Sequence, residues 1–294
     1  MIIDFHTHIF PPAICQKRKN YFLSEPAFEL LYQSSKSRLI GASELLDAMD
    51  ENEVDKSVIF GFPWKNPETF KMHNDHIMAM VQKYPHRFSG LGCFDPAAGN
   101  AVAETERCLD GGLAGIGELA FYQAGIDESA LEQLAPIMKI CADRDLPVLI
   151  HANEPVGHAY HGKTPMTLLQ IYRLVKRFLE TKIVLAHWGG GLFFYSLMKR
   201  DVKETLTNVF FDTAASPFLY EPDIYPIAVR LIGVDKILFG SDFPLLPPAR
   251  YFGEMQETGL TKPQIAKICG GNAKKLFNIQ ENTNAKKSGC CRSI

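Results

Sequence analysis

Short apolar runs rich in β-branched and aromatic residues recur along the chain. Eight runs have this character: MIIDFHTHI, KSVIFGF, FSGLGCFDP, LAGIGELAF, LPVLIHA, KIVLAH, VFFDTAA and KILFGSDFP. Between them, in stretches such as ASELLDAMDENEV and TPMTLLQIYRLVKRFLE, apolar residues fall three and four positions apart, which predicts amphipathic helices. Continuous apolar strands that alternate with helices indicate a parallel sheet covered on both faces.

Eight strand–helix units in a chain of 294 residues predict a (β/α)8 TIM barrel. An open, doubly wound sheet is the alternative. It would require a glycine-rich phosphate loop after an early strand, and GFPWKNPET lacks that pattern. The segment from about residue 10 to residue 41 is long for a first βα loop and predicts either a functional lid or a plain surface insertion.

The sequence pattern near the C-terminus predicts two further helices followed by an unfolded tail. The segments RYFGEMQETG and TKPQIAKICGGNAKKLFN have helical spacing and predict extra C-terminal helices that close the barrel, with an interruption at Gly270 and Gly271. The last residues are polar and lack periodicity. We therefore expect one domain over residues 1–279 and a disordered tail over residues 280–294.

The composition argues against nucleic-acid-binding, membrane-spanning and disulfide-rich classes of protein. The formal net charge of -2 gives no reason to expect a nucleic-acid partner, and no apolar run approaches the roughly 20 residues that span a bilayer. Seven scattered cysteines are typical of reduced thiols in a cytoplasmic protein. We therefore expect a cytoplasmic protein that acts on a small molecule without nucleic acid or membrane, and a homodimer agrees with the commonest oligomeric symmetry.

Ionisable side chains stand at the carboxyl ends of the predicted strands, which in a barrel open onto one mouth. Six of them fall there: His6, His8, Glu118, His151, His187 and Asp242. Burying these groups unpaired would be unfavourable, whereas a divalent metal pairs with carboxylates and neutral imidazoles at once. The set therefore predicts a metal site, although a single histidine at a strand end is more often only hydrogen-bonded.

The spacing of the first two histidines fits a shared ion. Alternate residues of a strand point to the same side, so His6 and His8 face one way, with Cα atoms roughly 6–7 Å apart. Nitrogen from His151 and oxygen from Asp242 would complete four protein ligands. Such donors suit zinc, with manganese, iron or cobalt as alternatives.

The segments DFHTH, GIGELAF, IHANEP, LAHWGGG, FGSDFP and GGNAKKLF resemble the amidohydrolase superfamily. The closer resemblance is to its branch of amidohydrolase-related proteins that contains aminocarboxymuconate-semialdehyde decarboxylase. The resemblance spans residues 1–279 and implies a distorted TIM barrel with one or two metal ions. It implies His6, His8, His151 and Asp242 as ligands, with His187 binding a second ion or holding the reactive water.

Glu118 is a departure from one pattern of the superfamily, in which many binuclear members carry a carboxylated lysine at the end of the fourth strand. Other members use a glutamate at that place to bridge or bind metal. The number of ions therefore stays open. The alternative role for Glu118 is an acceptor that holds a ligand histidine in the right tautomer.

Three functions are compatible with such a site. The leading prediction is a metal-dependent hydrolase, in which water of lowered pKa attacks an amide, ester or lactone. Asp242 would accept the proton of that water, and His187 would hydrogen-bond the water or polarise the substrate oxygen. The first alternative is a non-oxidative decarboxylase of a small unsaturated or aromatic acid, and the second is a non-catalytic barrel that uses the metal for stability.

The loop HANEPVGHAYHGK is the predicted substrate-binding segment, because it follows the fifth strand at the mouth. Its candidate residues are Glu154, His158, Tyr160, His161 and Lys163, joined by Trp188 after the sixth strand. The alternative is a solvated loop whose polar groups bond one another. Among the remaining polar residues, Asp212 is expected to orient substrate or to bond a neighbouring backbone, and His73 and His76 are expected at the surface.

Overall fold

The computed structural model describes residues 1–279, so the tail expected over residues 280–294 lies outside the described residues. All eight predicted strands are present and parallel to their neighbours. Their bounds are β1 Ile3–His8, β2 Lys56–Phe60, β3 Phe88–Gly90, β4 Ile116–Leu119, β5 Val148–Ile150, β6 Ile183–Leu185, β7 Val209–Asp212 and β8 Ile237–Leu238. The strands are short and almost completely buried, as their continuous apolar runs predict.

The strands form two sheets in sequence order, β1-β2-β3 and β4-β5-β6-β7-β8. Backbone hydrogen bonds bridge both seams between the sheets. At one seam Ala114 N donates to Gly90 O at 2.8 Å, and at the other Asp242 N donates to His6 O at 2.9 Å. The predicted α/β barrel is therefore confirmed in a distorted form, with paired strands interrupted at the two seams.

Helices connect the strands on the outside of the barrel. Their bounds are α1 Pro12–Gln16, α2 Pro26–Tyr32, α3 Ala42–Glu51, α4 Pro67–Lys83, α5 Ala101–Asp110, α6 Glu128–Asp143, α7 Leu168–Arg177, α8 Val202–Thr205, α9 Ser216–Leu219, α10 Ile224–Ile232, α11 Pro248–Glu257, α12 Lys262–Ala266 and α13 Asn272–Leu276. Local signals begin several of them. Before α4, Asn66 Oδ1 accepts from the N–H groups of Glu68 and Thr69, and Pro67 occupies the first turn.

The first βα loop contains α1, α2 and a 3-10 helix over Arg18–Tyr21, and it folds over the barrel mouth. Phe28 of α2 is fully buried, and its ring centroid lies 4.5 Å from that of Trp64 and 5.4 Å from that of Phe62. The guanidinium of Arg18 donates to the carbonyl oxygens of Tyr32 at 3.2 Å and Ser37 at 2.8 Å. The long loop is therefore packed as a wall of the mouth.

The C-terminal helices close the opposite end of the barrel. The interruption predicted at Gly270 and Gly271 is instead a π-helical turn, Lys267–Gly271, that links α12 to α13. Gly270 packs against the start of β1, where an added Cβ would lie 2.3 Å from the carbonyl oxygen of Met1. The C-terminal helices therefore lie at the amino ends of the strands, away from the carboxyl ends.

Two further comparisons with the sequence concern burial. His73, predicted to lie at the surface of α4, is fully buried. Its ring bonds Trp64 and the backbone of Ile9, which the helical pattern alone does not reveal. Within residues 1–279, we find no helix with the length and apolar character needed to cross a bilayer.

Candidate metal centre

The six predicted side chains meet at the carboxyl ends of the strands, around the carboxylate of Glu118. Its Oε2 atom lies 3.5 Å from Nε2 of His6 and 3.7 Å from Nε2 of His8. Its Oε1 atom lies 2.9 Å from Nδ1 of His151 and 3.5 Å from Nε2 of His187. The two oxygens of one carboxylate therefore face two different pairs of histidines.

Asp242 completes the group around the first pair. Its Oδ1 atom lies 3.6 Å from Nε2 of His6 and 3.4 Å from Nε2 of His8. His6, His8 and Glu118 offer ligand atoms that all lie within 4.8 Å of one another, and so do His6, His187 and Asp242. Distances of this size allow one ion to contact several of these atoms after small side-chain movements.

The tautomers of three histidines direct their Nε2 atoms at the centre. Each of the three has an acceptor oxygen beside Nδ1, so Nδ1 carries a hydrogen, and in the neutral ring Nε2 keeps its lone pair. The pairs are His6 with Asp212 Oδ2 at 2.8 Å, His8 with Gly61 O at 3.1 Å, and His187 with Ala214 O at 3.0 Å. Among the described residues, Nε2 of the fully buried His6 has no hydrogen-bond partner. The geometry and chemistry of these donors fit a divalent cation.

His151 occupies a different place from the one expected. The sequence predicts that it shares an ion with His6, His8 and Asp242, but the described cluster that contains it consists of Glu118, His151 and His187. Its Nε2 atom faces the carbonyl oxygen of Gly162 at 3.1 Å, because the loop after β5 folds back over the ring. His151 therefore joins the centre through Glu118 in this conformation.

The carboxylates and histidines of the centre shift one another's pKa values. Burial alone would raise the pKa of Glu118, but the charges of His6 and His151 outweigh burial and hold this pKa well below its usual range. Burial lowers the pKa of His187, but the hydrogen bond to Glu118 and the charge of Asp242 raise it to about 9. A site that keeps carboxylates ionised and draws protons onto histidines is one that a divalent cation would stabilise.

A cavity of about 770 Å³ opens above the centre. Part of its lining comes from residues that the sequence analysis missed. They are the aromatic residues Tyr32, Phe62 and Tyr122 and the cationic residues Lys36 and Arg38. Phe62 and Tyr122 follow the ends of β2 and β4. Tyr32, Lys36 and Arg38 lie in the first loop, whose length is the only sequence signal that pointed to them, since an irregular segment has no periodicity from which facing residues can be read.

The predicted substrate-binding loop is divided between the cavity and its own interior. His158, Tyr160 and His161 line the cavity. Glu154 and Lys163 form an ion pair at 3.0 Å, and the Tyr160 hydroxyl donates to Glu154 at 3.0 Å. Glu154 and Lys163 therefore hold the loop together. This agrees with the alternative interpretation, in which polar groups of the loop bond one another.

Trp188 lies away from the cavity, which corrects its expected role in substrate binding. Its side chain is fully buried, and Nε1 donates to Ser216 Oγ at 2.9 Å. The backbone from Trp188 to Gly191 has positive φ angles, which the glycines adopt readily. This turn directs the indole into the core beside Tyr225.

Asp212 has a role that the sequence could not specify. Its Oδ2 atom accepts from Nδ1 of His6, and its Oδ1 atom accepts from the backbone N–H of His187 at 2.8 Å and of Ala214 at 3.0 Å. The carboxylate is fully buried at the end of β7. Asp212 thus bonds the ring of one histidine of the cluster and the backbone of another.

Comparison with known proteins identifies the family. The family model described as amidohydrolase matches residues 3–279, and the chain belongs to this family of enzymes. The chain is 26% identical to a gamma-resorcylate decarboxylase of Polaromonas sp. strain JS666, over 72% of this chain and 77% of the relative. It is 23% identical to a 2-amino-3-carboxymuconate-6-semialdehyde decarboxylase of Dictyostelium discoideum, over 95% of this chain and 92% of the relative.

A solved structure shares the fold. It is a 5-carboxyvanillate decarboxylase from Novosphingobium aromaticivorans in complex with manganese and 4-hydroxy-3-methoxy-5-nitrobenzoic acid. The TM-score is 0.75 at 19% sequence identity, with 95% of this chain and 96% of that chain covered. This similarity establishes a common architecture.

Proposed function

We propose that this member of the amidohydrolase family is a metal-dependent, non-oxidative decarboxylase of a small aromatic or unsaturated acid. The observation that carries the proposal is that a single cavity is lined by the metal-ligating cluster, by aromatic side chains and by two cationic side chains. Neither Lys36 nor Arg38 forms an ion pair with another residue of the described part of the chain. The names of the curated relatives, both decarboxylases of unsaturated or aromatic acids, support the same reaction.

Substrate binding follows from the lining of the cavity. The rings of Phe62 and Tyr122 lie nearly parallel, with centroids 6.2 Å apart and an interplanar angle of 18°. A planar conjugated acid would pack against them, since offset aromatic pairs are favourable beyond their buried area. Lys36 and Arg38 would attract the anionic group, and His158 and His161, which line the same cavity, would contact the substrate as well.

His6, His8, Glu118 and Asp242 are the proposed ligands of the ion, and His151 and His187 complete the centre. When bound, a divalent ion would withdraw charge from a substrate oxygen and stabilise the carbanion-like transition state. Manganese is the preferred candidate, because carboxylate donors suit it and the related solved structure contains it. Zinc, favoured by the histidine content, is the second choice.

The proton needed by the reaction would come from His187. Loss of carbon dioxide breaks the bond between the carboxyl carbon and the conjugated carbon, and leaves its electron pair on the latter. A proton must then be delivered to that carbon. His187 lines the cavity, and its pKa of about 9 keeps the ring protonated on both nitrogens at neutral pH. Its Nδ1–H is already bonded to Ala214 O, so the proton would leave from Nε2, and the ring would become neutral. Asp242, which offers a carboxylate oxygen within 4.8 Å of a ring nitrogen of His187, would orient this transfer.

Hydrolysis of an amide, ester or lactone is the second candidate function. The position of Glu118 favours it, because its two oxygens face separate histidine pairs. A carboxylate shared in this way is typical of two-ion centres that activate water. In both functions the active residues come from the strand ends of one barrel, so we assign the activity to a single domain of residues 1–279.

A substrate panel tests the proposal. Chelator-treated protein reloaded with Mn2+ or Zn2+ would be incubated with hydroxybenzoates and unsaturated dicarboxylic acids, and in parallel with amides, esters and lactones. We expect metal-dependent release of carbon dioxide from one or more acids and no hydrolysis. Hydrolysis without carbon dioxide release would favour the second candidate, and no turnover in either set would contradict both.

A further inference from the structure

A buried histidine on α4 contacts backbone that adjoins His8 and is not itself part of the metal centre. The ring of His73 is fully buried, its Nε2 lies 2.7 Å from the carbonyl oxygen of Ile9, and its Nδ1 accepts from Nε1 of Trp64 at 2.9 Å. A carbonyl oxygen can only accept and an indole N–H can only donate. The ring therefore carries its hydrogen on Nε2 and has a single defined tautomer.

The ring of His73 also packs directly against Gly61, the residue after β2. An added Cβ at Gly61 would lie 2.7 Å from Cε1 and Nδ1 of His73, so the backbone touches the ring face. The carbonyl oxygen of this same Gly61 accepts from Nδ1 of His8 at 3.1 Å. Ile9, the other backbone partner of His73, directly follows His8 in the chain.

Both backbone segments that hold His8 thus rest on one imidazole. We propose that His73 is a positioning residue that fixes where Nε2 of His8 lies, and that it thereby sets the affinity of the centre for its divalent ion. This inference rests on the proposed function, because it assigns His8 as a ligand. Burial lowers the pKa of His73 to about 3, so the ring stays neutral and keeps this tautomer across the working range of pH.

A purely structural role for His73 makes a different prediction. If the ring only filled space, its loss would lower the free energy of unfolding and leave metal affinity unchanged once the protein is folded. If the ring positions His8, metal affinity must fall in the folded protein. It should recover when a replacement restores the two hydrogen bonds, since partners beyond the ligands commonly change affinity 10–100-fold.

The test compares the Mn2+ dissociation constant, measured calorimetrically on chelator-treated folded protein, among four variants. His73→Leu removes both hydrogen bonds, whereas His73→Gln can still donate to Ile9 O and accept from Trp64. Trp64→Phe keeps His73 and removes only the donor to Nδ1. His76→Leu is the matched control, because it removes a histidine from the same helix that contacts neither Ile9 nor Gly61 in any described hydrogen bond.

We expect His73→Leu to weaken Mn2+ binding about tenfold and Trp64→Phe about threefold, with His73→Gln and His76→Leu near the wild type. If His73→Leu does not fold, Trp64→Phe decides, and an unchanged constant there overturns the inference. Equal Mn2+ affinity in all variants overturns the inference alone. Absence of both Mn2+ and Zn2+ binding by the wild type overturns the proposed function, and the inference with it.

Discussion

The Oδ2 atom of Asp212 lies 2.8 Å from Nδ1 of His6, and both side chains are fully buried at the base of the barrel mouth. The carboxylate accepts the Nδ1 hydrogen and leaves Nε2 of His6 free to face the centre. Its other oxygen accepts from the backbone of His187. One acidic side chain on β7 therefore fixes two residues of the cluster from behind.

Asp212→Asn should weaken metal binding without removing a ligand. The amide has no negative charge, and its N–H can occupy the side that now accepts from His6, which would destabilise the required tautomer. We expect the Mn2+ dissociation constant to rise 10–100-fold by calorimetry. Asp235→Asn is the control, since Asp235 pairs only with Lys267 at the surface in the described contacts. Equal constants in the two variants would exclude this role for Asp212.

Arg38→Gln should weaken substrate binding more than turnover. A hydrogen bond to a charged group contributes about 1.5–3 kcal/mol when the bond is buried, and less when it is exposed. We therefore expect KM to rise about tenfold when this bond to the substrate is lost. Steady-state release of carbon dioxide would measure both constants. Arg230→Gln on α10 removes the same charge at an exposed position outside the cavity lining. Equal KM values for the wild type and Arg38→Gln would show that Arg38 does not contribute to substrate recognition.

His187→Gln should slow the proton step. Glutamine can still donate to Ala214 O but cannot deliver a proton at neutral pH, and general acid catalysis contributes about 10²–10⁴ in rate. We expect kcat for carbon dioxide release to fall by at least about 100-fold, with a smaller change in Mn2+ affinity. Single-turnover kinetics on the Mn2+-loaded variant would measure the step. Unchanged kcat would assign the proton to another group.

Asp4 makes the stability of the metal-free protein depend on pH. Its Oδ1 atom accepts from Ser241 N at 2.9 Å across the β1–β8 seam, and burial outweighs this hydrogen bond and raises the pKa from 3.8 to about 7. The folded state then binds the proton more tightly than the unfolded chain. The contribution to stability is full below about pH 3.8 and is lost as the pH rises through about 7.

Asp4→Asn, which resembles the protonated acid and cannot ionise, should remove this dependence. Urea unfolding would give the free energy of unfolding of the wild type and the variant at pH 5 and at pH 8. We expect the variant to become more stable relative to the wild type at pH 8 than it is at pH 5. The comparison between the two proteins cancels the titration of other groups. Parallel pH profiles would mean that Asp4 does not titrate as its burial implies.

The sequence predicted the elements of the barrel well because their signals are local. Each strand is a short apolar run, and the parallel arrangement alone places strand-end residues such as His6 and Asp242 together at one mouth. The pattern could not show that His151 meets Gly162 O rather than the other ligands. That contact depends on how the loop after β5 folds.

Other features escaped prediction because they join distant segments. Asp212 and His6 are 206 positions apart in the chain, and no local pattern links them. Arg38 lies in an irregular loop, where no periodicity shows which side faces the cavity. Trp188 follows His187 directly, yet a left-handed turn directs its ring into the core. Adjacency in sequence was therefore a poor guide to position at this turn.

Calorimetric titration of Mn2+ into chelator-treated protein tests the metal centre most directly. We expect saturable binding at one or two ions per chain. His6→Ala should weaken it by more than about 100-fold, beyond the effect of partners outside the ligand set. His86→Ala, at an exposed histidine before β3, should bind as the wild type does. Non-saturable binding by the wild type, or wild-type affinity in His6→Ala, would contradict a cation centre at the mouth of this barrel.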